Sequence, residues 1–551
     1  MRSRPIVLFV TLVAFVYAAL LALHAAFLRL PYYWDEAGYY IPAALDFYHH
    51  AFLIPRSTMT NGHTPLVPIY LGTLWHVFGF SPLVTRAAML LTASAAVAAT
   101  YAVGRQIAGR EVAAWGAGLL AVSPVFFAQS SLAHLDITVA LFTTLAVLAL
   151  LRGKMPGFAV AASLAVLSKE TAVVLVPVAV AAVLALGGKR RRELTPGAWW
   201  WLLSPTLVLA VWAAYYHHST GFWTGNREYL QYNLYSTLNP IRILLTLLRR
   251  LYELFVAGFN WLPVAGAAVG AWRAVGSWQE AEGSRQKAVG RRQNAESGSR
   301  PSAFCFLLSA DCRPPTADCL FWLLTAGLLA VNLVMLSVVG GAVLPRYLLP
   351  VLPVYYLALV VLIWRLPKPW ARAILTLAAA GFVSAWFINP PSPFPYEDNL
   401  SYADFIKLHQ QAAAFLEKQP GQPRILTAWP ASDELVQPYL GYVGAPLRVV
   451  PLDGFEADDF AQVRPDSFDL LYLYSRKWEP PHNWLDRSPW LRRLGKHYFD
   501  YSTQVREKAL VDRFHLRLIR QFDRAGQWVR IYANGRGRDA GYPTPPARIR
   551  T

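Results

Sequence analysis

Apolar runs about as long as a bilayer is thick recur along the first 390 residues or so, and nothing constrains this chain more. A helix needs about 20 apolar residues to cross the hydrocarbon core. Helices and closed barrels are the forms that satisfy every backbone polar group there. Runs of this kind fall at roughly 6–28, 82–104, 111–128, 133–151, 156–168, 172–187, 197–216, 252–272, 320–339, 347–364 and 371–388. They predict a polytopic α-helical membrane protein with about 11 transmembrane helices. The fifth and sixth runs are short and read equally as a broken pair or one bent hairpin. The first begins with Arg2 and Arg4 and is too long for a signal-peptide core, so it is expected to be retained as a helix.

Charge gives the orientation. Only 15% of the residues are charged, against the roughly 25% of soluble proteins. The net charge of +18 is not gathered into a stripe that would suit nucleic acid. It lies in short clusters, "GRQIAGR" (104–110), "RGK" (152–154), "GGKRRRE" (187–193) and "WRLPKPWAR" (364–372), which fall on one side together with the N-terminus. By the positive-inside rule that side is cytoplasmic. The opposite gaps are nearly free of Lys and Arg, apart from 217–251 with its four arginines. An integral protein of a bacterial inner or plasma membrane is expected.

Three segments fall out of this division. Residues 1–388 form the transmembrane part. Within it, 273–319 carries a seven-residue repeat ("AEGSRQK", "AVGRRQN", "AESGSRP") without apolar a/d positions, so it reads as a low-complexity cytoplasmic insertion rather than a coiled coil. Cys305, Cys312 and Cys319 are spaced by that repeat and match no zinc or disulfide pattern. Residues 389–401 read as a proline-rich linker. Residues 402–551 read as a soluble extracytoplasmic α/β domain: a helix at 402–419, strands at 424–429, 447–453, 468–475 and 528–533, and a short helix capped by Ser432. That alternation suggests a mostly parallel sheet.

Ionisable residues at membrane depth are costly, and those that remain are functional candidates. In "PYYWDEAGYY" (31–40) Asp35 and Glu36 stand among aromatics just after the first span. His63 follows in the same external loop. Asp136 opens the fourth span, Lys169 and Glu170 separate the fifth and sixth, and Arg346 opens the tenth. All lie on the external side. Each has a plain structural reading too: helix capping for the acids, a paired turn for Lys169 and Glu170, an interfacial anchor for Arg346. Taken together they offer cations that can hold a phosphate and carboxylates that can act as base or gather a divalent cation. The neighbouring pairs His49–His50 and His217–His218 point different ways on a helix or strand and make poor metal sites.

These stretches resemble the GT-C membrane glycosyltransferases that use polyprenyl-phosphate sugars, the protein O-mannosyltransferases and the lipid A aminoarabinose transferases. The similar segments are "WDEAGYY" (34–40), "NGHTPLVPIYLGTLWHVFGFS" (61–81), "SSLAHLDITVALF" (130–142), "LSKETA" (167–172) and "PRYLLPVLPVYYLAL" (345–359), in that order. The resemblance runs from residue 1 to about 390. It implies that Asp35 is the base that activates an acceptor, with Glu36 supporting it and Asp136 as a second acidic site. It implies that Lys169 and Arg346 contact the donor phosphate. His63 stands where some members carry a lysine and is the third candidate there. Loop 217–251, with "NREYLQYN" (226–233), resembles the loop that covers the donor, which makes Arg227 and Tyr229 substrate-binding candidates beside Tyr39 and Tyr40. The partners implied are a polyprenyl-phosphate-linked sugar, the bilayer and a glycan, lipid or protein acceptor, with no nucleic acid. No cofactor is required; a divalent cation, if one binds, would be held by Asp35, Glu36 and Asp136. The rival classes are a transporter or flippase, which would carry midplane charges and internal repeats, and a non-catalytic glycan-binding scaffold.

Overall fold

The computed structural model describes residues 4–59, 62–186, 196–289, 317–390, 393–479, 488–499 and 505–535. Most of the repeat insertion, with Cys305 and Cys312, lies outside these residues. Helices come first: α1 (Arg4–Leu23), α2 (Ile41–His50), α3 (Leu66–Phe78), α4 (Pro82–Ile107), α5 (Gly109–Val122), α6 (Pro124–Gln129), α7 (Asp136–Leu151), α8 (Met155–Ser168), α9 (Leu175–Ala185), α10 (Pro196–Thr220), α11 (Arg227–Asn233), α12 (Pro240–Phe255), α13 (Trp261–Val289), α14 (Ala317–Val338), α15 (Leu352–Ile363) and α16 (Lys368–Ala385). Among the described residues, segments of α1, α4, α10 and α14 are long and apolar enough to cross a membrane. Shorter apolar helices, including α3, α7, α8 and α15, pack beside them.

Three stretches differ from the sequence reading. The run 111–128 breaks at Ser123, extended between α5 and α6, where Pro124 can start a helix but cannot continue one. The run 252–272 is two elements, because Val256 and Gly258 depart from helical geometry. Ahead of that break lies α12, whose arginines face the protein. Arg242 donates to the carbonyls of Gly340, Gly341 and Tyr498, and Arg250 to that of Leu344. Its apolar residues face outward, with Leu244 and Leu248 56% and 54% exposed. Such a helix is suited to lie with that face in lipid. The first external loop is likewise largely helical, in α2 and α3.

Then come α17 (Ser401–Leu416), β1 (Ile425–Ala428), α18 (Ala431–Val436), β2 (Val449–Leu452), β3 (Leu470–Tyr474), α19 (Pro489–Phe499), α20 (Glu507–Phe514), β4 (Leu516–Arg524) and β5 (Gln527–Asn534). The sheet order is β2-β1-β3-β5-β4. β1 pairs parallel with β2 and β3, whereas β5 is antiparallel to both β3 and β4, so the sheet is mixed. β4 escapes the sequence pattern because it is an edge strand, with a register shift at Leu518/Arg520 and mostly polar exposed positions. Pro430, not Ser432, stands at the N-cap of α18.

The α/β part is seated on the helices rather than tethered to them. The Tyr32 amide donates to the Leu440 carbonyl, and the Tyr442 hydroxyl to the Tyr32 carbonyl. Residues 393–401, a linker by composition, are packed: Tyr396, Glu397 and Asn399 are buried. Trp386 stacks on Phe127 with ring centroids 3.7 Å apart, which fixes where that segment leaves the helices.

Candidate active site

Adjacent residues on a helical turn point about 100° apart, and the acidic doublet uses this. A π-helical turn, Glu36–Tyr40, begins at the doublet, directly after Trp34 in left-handed backbone (φ 47°). Glu36 turns inward to Arg86 of α4. Nη1 and Nη2 donate to its two oxygens at 2.8 and 3.0 Å, and both side chains are fully buried. The amides of Ala133 and Tyr33 donate to the same oxygens, at 2.5 and 2.9 Å. With every acceptor position filled, Glu36 offers nothing to a substrate. In the structure it holds the loop that carries Asp35.

Asp35 turns the other way and accepts from a different arginine. It pairs with Nη2 of Arg346 and keeps 20% of its side chain exposed. Arg346 sits in a 3-10 turn (Pro345–Leu348) ahead of α15 and is itself 1% exposed. Its Nη1 donates to Glu397 Oε2 at 2.8 Å and to the His134 ring, 3.1 Å from Nε2. Its Nε lies 3.7 Å from Asp136 Oδ2. The other oxygen of Asp136 accepts from Lys169 Nζ at 2.8 Å. Lys169 stands over the Tyr347 ring, 4.3 Å from its centroid, a cation–π geometry. Asp35, Asp136, Lys169 and Arg346 thus form one connected cluster.

Sequence reasoning missed three members. His134, two residues before Asp136, has Nδ1 2.6 Å from Gln129 Oε1, and Arg346 Nη1 lies against its ring, 3.0 Å from Nδ1 and 3.1 Å from Nε2. Gln129 in turn donates to the Glu397 carbonyl at 3.1 Å. Glu397 is 2% exposed, and burial, reinforced by Asp35 and Asp136 against the opposing pull of Arg346, pushes its carboxyl up to about 7. Its surroundings in a proline-rich stretch gave no signal of this.

The remaining candidates stand around the cluster. His63 is paired with Glu170, Nδ1 to Oε2 at 3.0 Å, so its ring is engaged by a carboxylate rather than presented beside Lys169. Tyr40 is buried edge-on to His134, ring centroids 5.6 Å apart. Tyr39 faces away, toward Trp429 of the α/β part at 6.2 Å. On α11 Tyr229 approaches His63 at 6.0 Å, whereas Arg227 is exposed on the outer side. Asp35, Glu36 and Asp136 do not fit a shared cation: Glu36 is saturated and the other two are ion-paired. Among the described residues no group of three or more His, Cys, Asp or Glu side chains could hold a metal.

Beside the cluster a small, partly open recess of about 20 Å³ lies between α7, α9 and α14. Asp136, Lys169 and Tyr347 lie at its head, and Val139, Leu175, Leu328, Met335 and Leu336 line its walls. It brings the Lys169 ammonium beside an apolar wall.

Residues 62–216 match the family model of the dolichyl-phosphate-mannose-protein mannosyltransferases. The whole chain superposes on ArnT from Cupriavidus metallidurans bound to undecaprenyl phosphate, with a TM-score of 0.54 at 13% identity, over 99% of this chain and 100% of that one. The fold is that of the GT-C glycosyltransferases. The apo form of the same enzyme gives a TM-score of 0.49 at 13% identity, over 96% and 98% of the two chains. The Archaeoglobus fulgidus oligosaccharyltransferase AglB, in complex with an inhibitory peptide and a dolichol phosphate, gives 0.46 at 11% identity, over 96% and 74%. No curated protein matches the sequence. The matched stretch 62–216 contains Asp136 and Lys169, while Asp35, Arg346 and Glu397 lie outside it.

Proposed function

We propose that this protein transfers a sugar from a polyprenyl-phosphate donor to an acceptor hydroxyl or amine at the extracytoplasmic face of an inner or plasma membrane, through about eleven spans with the α/β part outside. The observation that carries this reading is one cluster in which buried Arg346 pairs with the partly exposed carboxylate Asp35 and, through Asp136, stands beside the half-buried Lys169 at an apolar recess. The donor phosphate takes the two cations. Asp35 removes the acceptor proton, and the freed oxygen or nitrogen attacks the anomeric carbon from the face opposite the phosphate. The bond from that carbon to the phosphate oxygen breaks, the configuration inverts, and polyprenyl phosphate leaves as an anion. Lys169 and Arg346 stabilise it; one such contact is worth about 3 kcal/mol in the transition state. Asp136 positions Lys169, and His134 positions Arg346.

Transfer from a radiolabelled polyprenyl-phosphate sugar, supplied with candidate glycan, lipid and protein acceptors, tests the reading in purified wild type and Asp35→Asn. Transfer by wild type that disappears in the variant, with donor binding retained, supports it. Equal transfer by both removes Asp35 from the chemistry. Movement of labelled donor across a liposome bilayer without transfer would instead indicate a flippase.

A further inference from the structure

Arg346 is given two roles by its surroundings, and they compete. As a phosphate ligand it needs a free N–H edge. In the structure Nη1 is committed to Glu397 and His134 and Nη2 to Asp35, which leaves only the buried Nε, 3.7 Å from Asp136 Oδ2, without a hydrogen bond. The cluster also carries one negative charge too many: Asp35, Asp136 and Glu397 face only Arg346 and Lys169. A phosphate brought into this buried site adds more of the same sign, which a low-dielectric interior opposes strongly. One carboxylate has to give way.

We propose that Glu397 is a positioning residue of the donor site, holding the edge of Arg346 that the donor phosphate takes, so that phosphate and the Glu397 carboxylate exclude one another. The inference rests on the polyprenyl-phosphate reading above. Glu397 is suited to this by its position and its bonding. It is as enclosed as Asp136, the other buried carboxylate beside Arg346, and its Oε1 is buried without a hydrogen-bond partner. A proton there removes the excess charge, against the pull of Arg346 and Gln129 on the carboxylate. Asp35 by contrast is partly open to water. Asp136 already holds Lys169.

The groups that face Glu397 agree. Arg346 comes from the turn before α15, Asp35 and Tyr33 from the first loop, and His134 and Asp136 from the start of α7. Its neighbour Asp398, itself pushed upward by burial and by Glu397, faces Glu253, Arg249 and Arg250 of α12. Burial and this company set the Glu397 carboxyl to titrate at about 7. Below that it is a neutral donor-acceptor that leaves Arg346 to the phosphate. Above it the carboxylate competes, and the ligand must supply the free energy of protonating or displacing it. Glu397 comes from the segment that enters the α/β part, which makes that segment a component of the donor site.

The test is the affinity for undecaprenyl phosphate, measured in detergent from pH 6 to pH 8 on the full chain, wild type beside Glu397→Gln. Gln imitates the protonated acid. The ligand's own titration cancels in the ratio of the two dissociation constants. If only the protonated form binds, that ratio rises from about 1 at pH 6 to about 10 at pH 8. Calorimetry of wild type in two buffers of different ionisation enthalpy gives a second reading without a variant: close to one proton is taken up on binding at pH 8, where the ligand is already a dianion. A flat ratio or no proton uptake overturns the role of Glu397 and leaves the proposed function standing. Absence of saturable binding by wild type at every pH overturns both.

Discussion

Glu36 and Arg86 face each other in a two-pronged pair with no exposure to water, at the base of the loop whose next-door carboxylate, Asp35, points into the site. The buried pair fixes the exposed acid: any tilt of the turn at Glu36 moves Asp35 off Arg346.

Removing one partner leaves a buried, uncompensated charge, which costs about 3–5 kcal/mol. Glu36→Ala and Arg86→Ala are each expected to lower the unfolding temperature in detergent by several degrees. Arg86→Lys is expected to recover little of it, since an ammonium cannot make both contacts. A joint Glu36→Gln, Arg86→Met exchange is expected to be much less harmful than either single truncation, as read by the same melts.

Lys169 is half of the proposed phosphate clamp and is anchored by Asp136. Lys169→Met is expected to lower transfer by about 100-fold or more. Lys169→Arg is expected to retain part of it, because a cation can still reach the recess. Steady-state transfer rates at saturating donor check both.

The Glu397 carboxyl is raised from its usual 4.5 to about 7 in the folded chain, mainly by burial. A folded value above the unfolded one means that its contribution is fully present below about 4.5 and is lost as pH rises to 7. The loss is on the order of 3 kcal/mol. Glu397→Gln is expected to be no more stable than wild type near pH 4.5, and to become the more stable of the two between there and pH 7. Paired melting curves across that range decide it; parallel curves would show that Glu397 titrates alike in the folded and unfolded states.

Helix α12 turns its leucines away from the protein and its arginines toward it. Spin labels at Leu244 and Leu248 in reconstituted bilayers are expected to be relaxed by oxygen, which partitions into lipid. They should be nearly silent to a water-soluble nickel chelate. The reverse pattern would place that face in water.

The helical architecture was legible because apolar runs of bilayer length leave few alternatives, and the order of the motifs pointed to the GT-C fold. The isolated charges at the ends of those runs stood out for the same reason: each is expensive where it sits. Arg86 did not stand out, because an arginine one turn into a helix reads as an interfacial anchor, and only the fold shows that its partner lies 50 residues back. Glu397 was hidden differently. Prolines around it indicate a connector, and nothing local shows that this connector is threaded against Gln129 and Arg346. The edge strand β4 was lost because it is polar on its open side, and a strand buried on one edge alone carries half the usual pattern. The inverted α12 looked like part of an external loop followed by a span, since its hydropathy does not say which face the protein takes.

The hydrogen-bonded circuit from Gln129 through His134 and Arg346 to Glu397 joins chain segments that are made at very different times. Glu397 is synthesised 268 residues after Gln129 and 51 after Arg346. Until it arrives, the guanidinium of Arg346 lacks one of its anionic partners and Gln129 lacks its carbonyl. The circuit therefore closes only once the segment that follows α16 has been made, and a chain cut short after α16 would lack that closure.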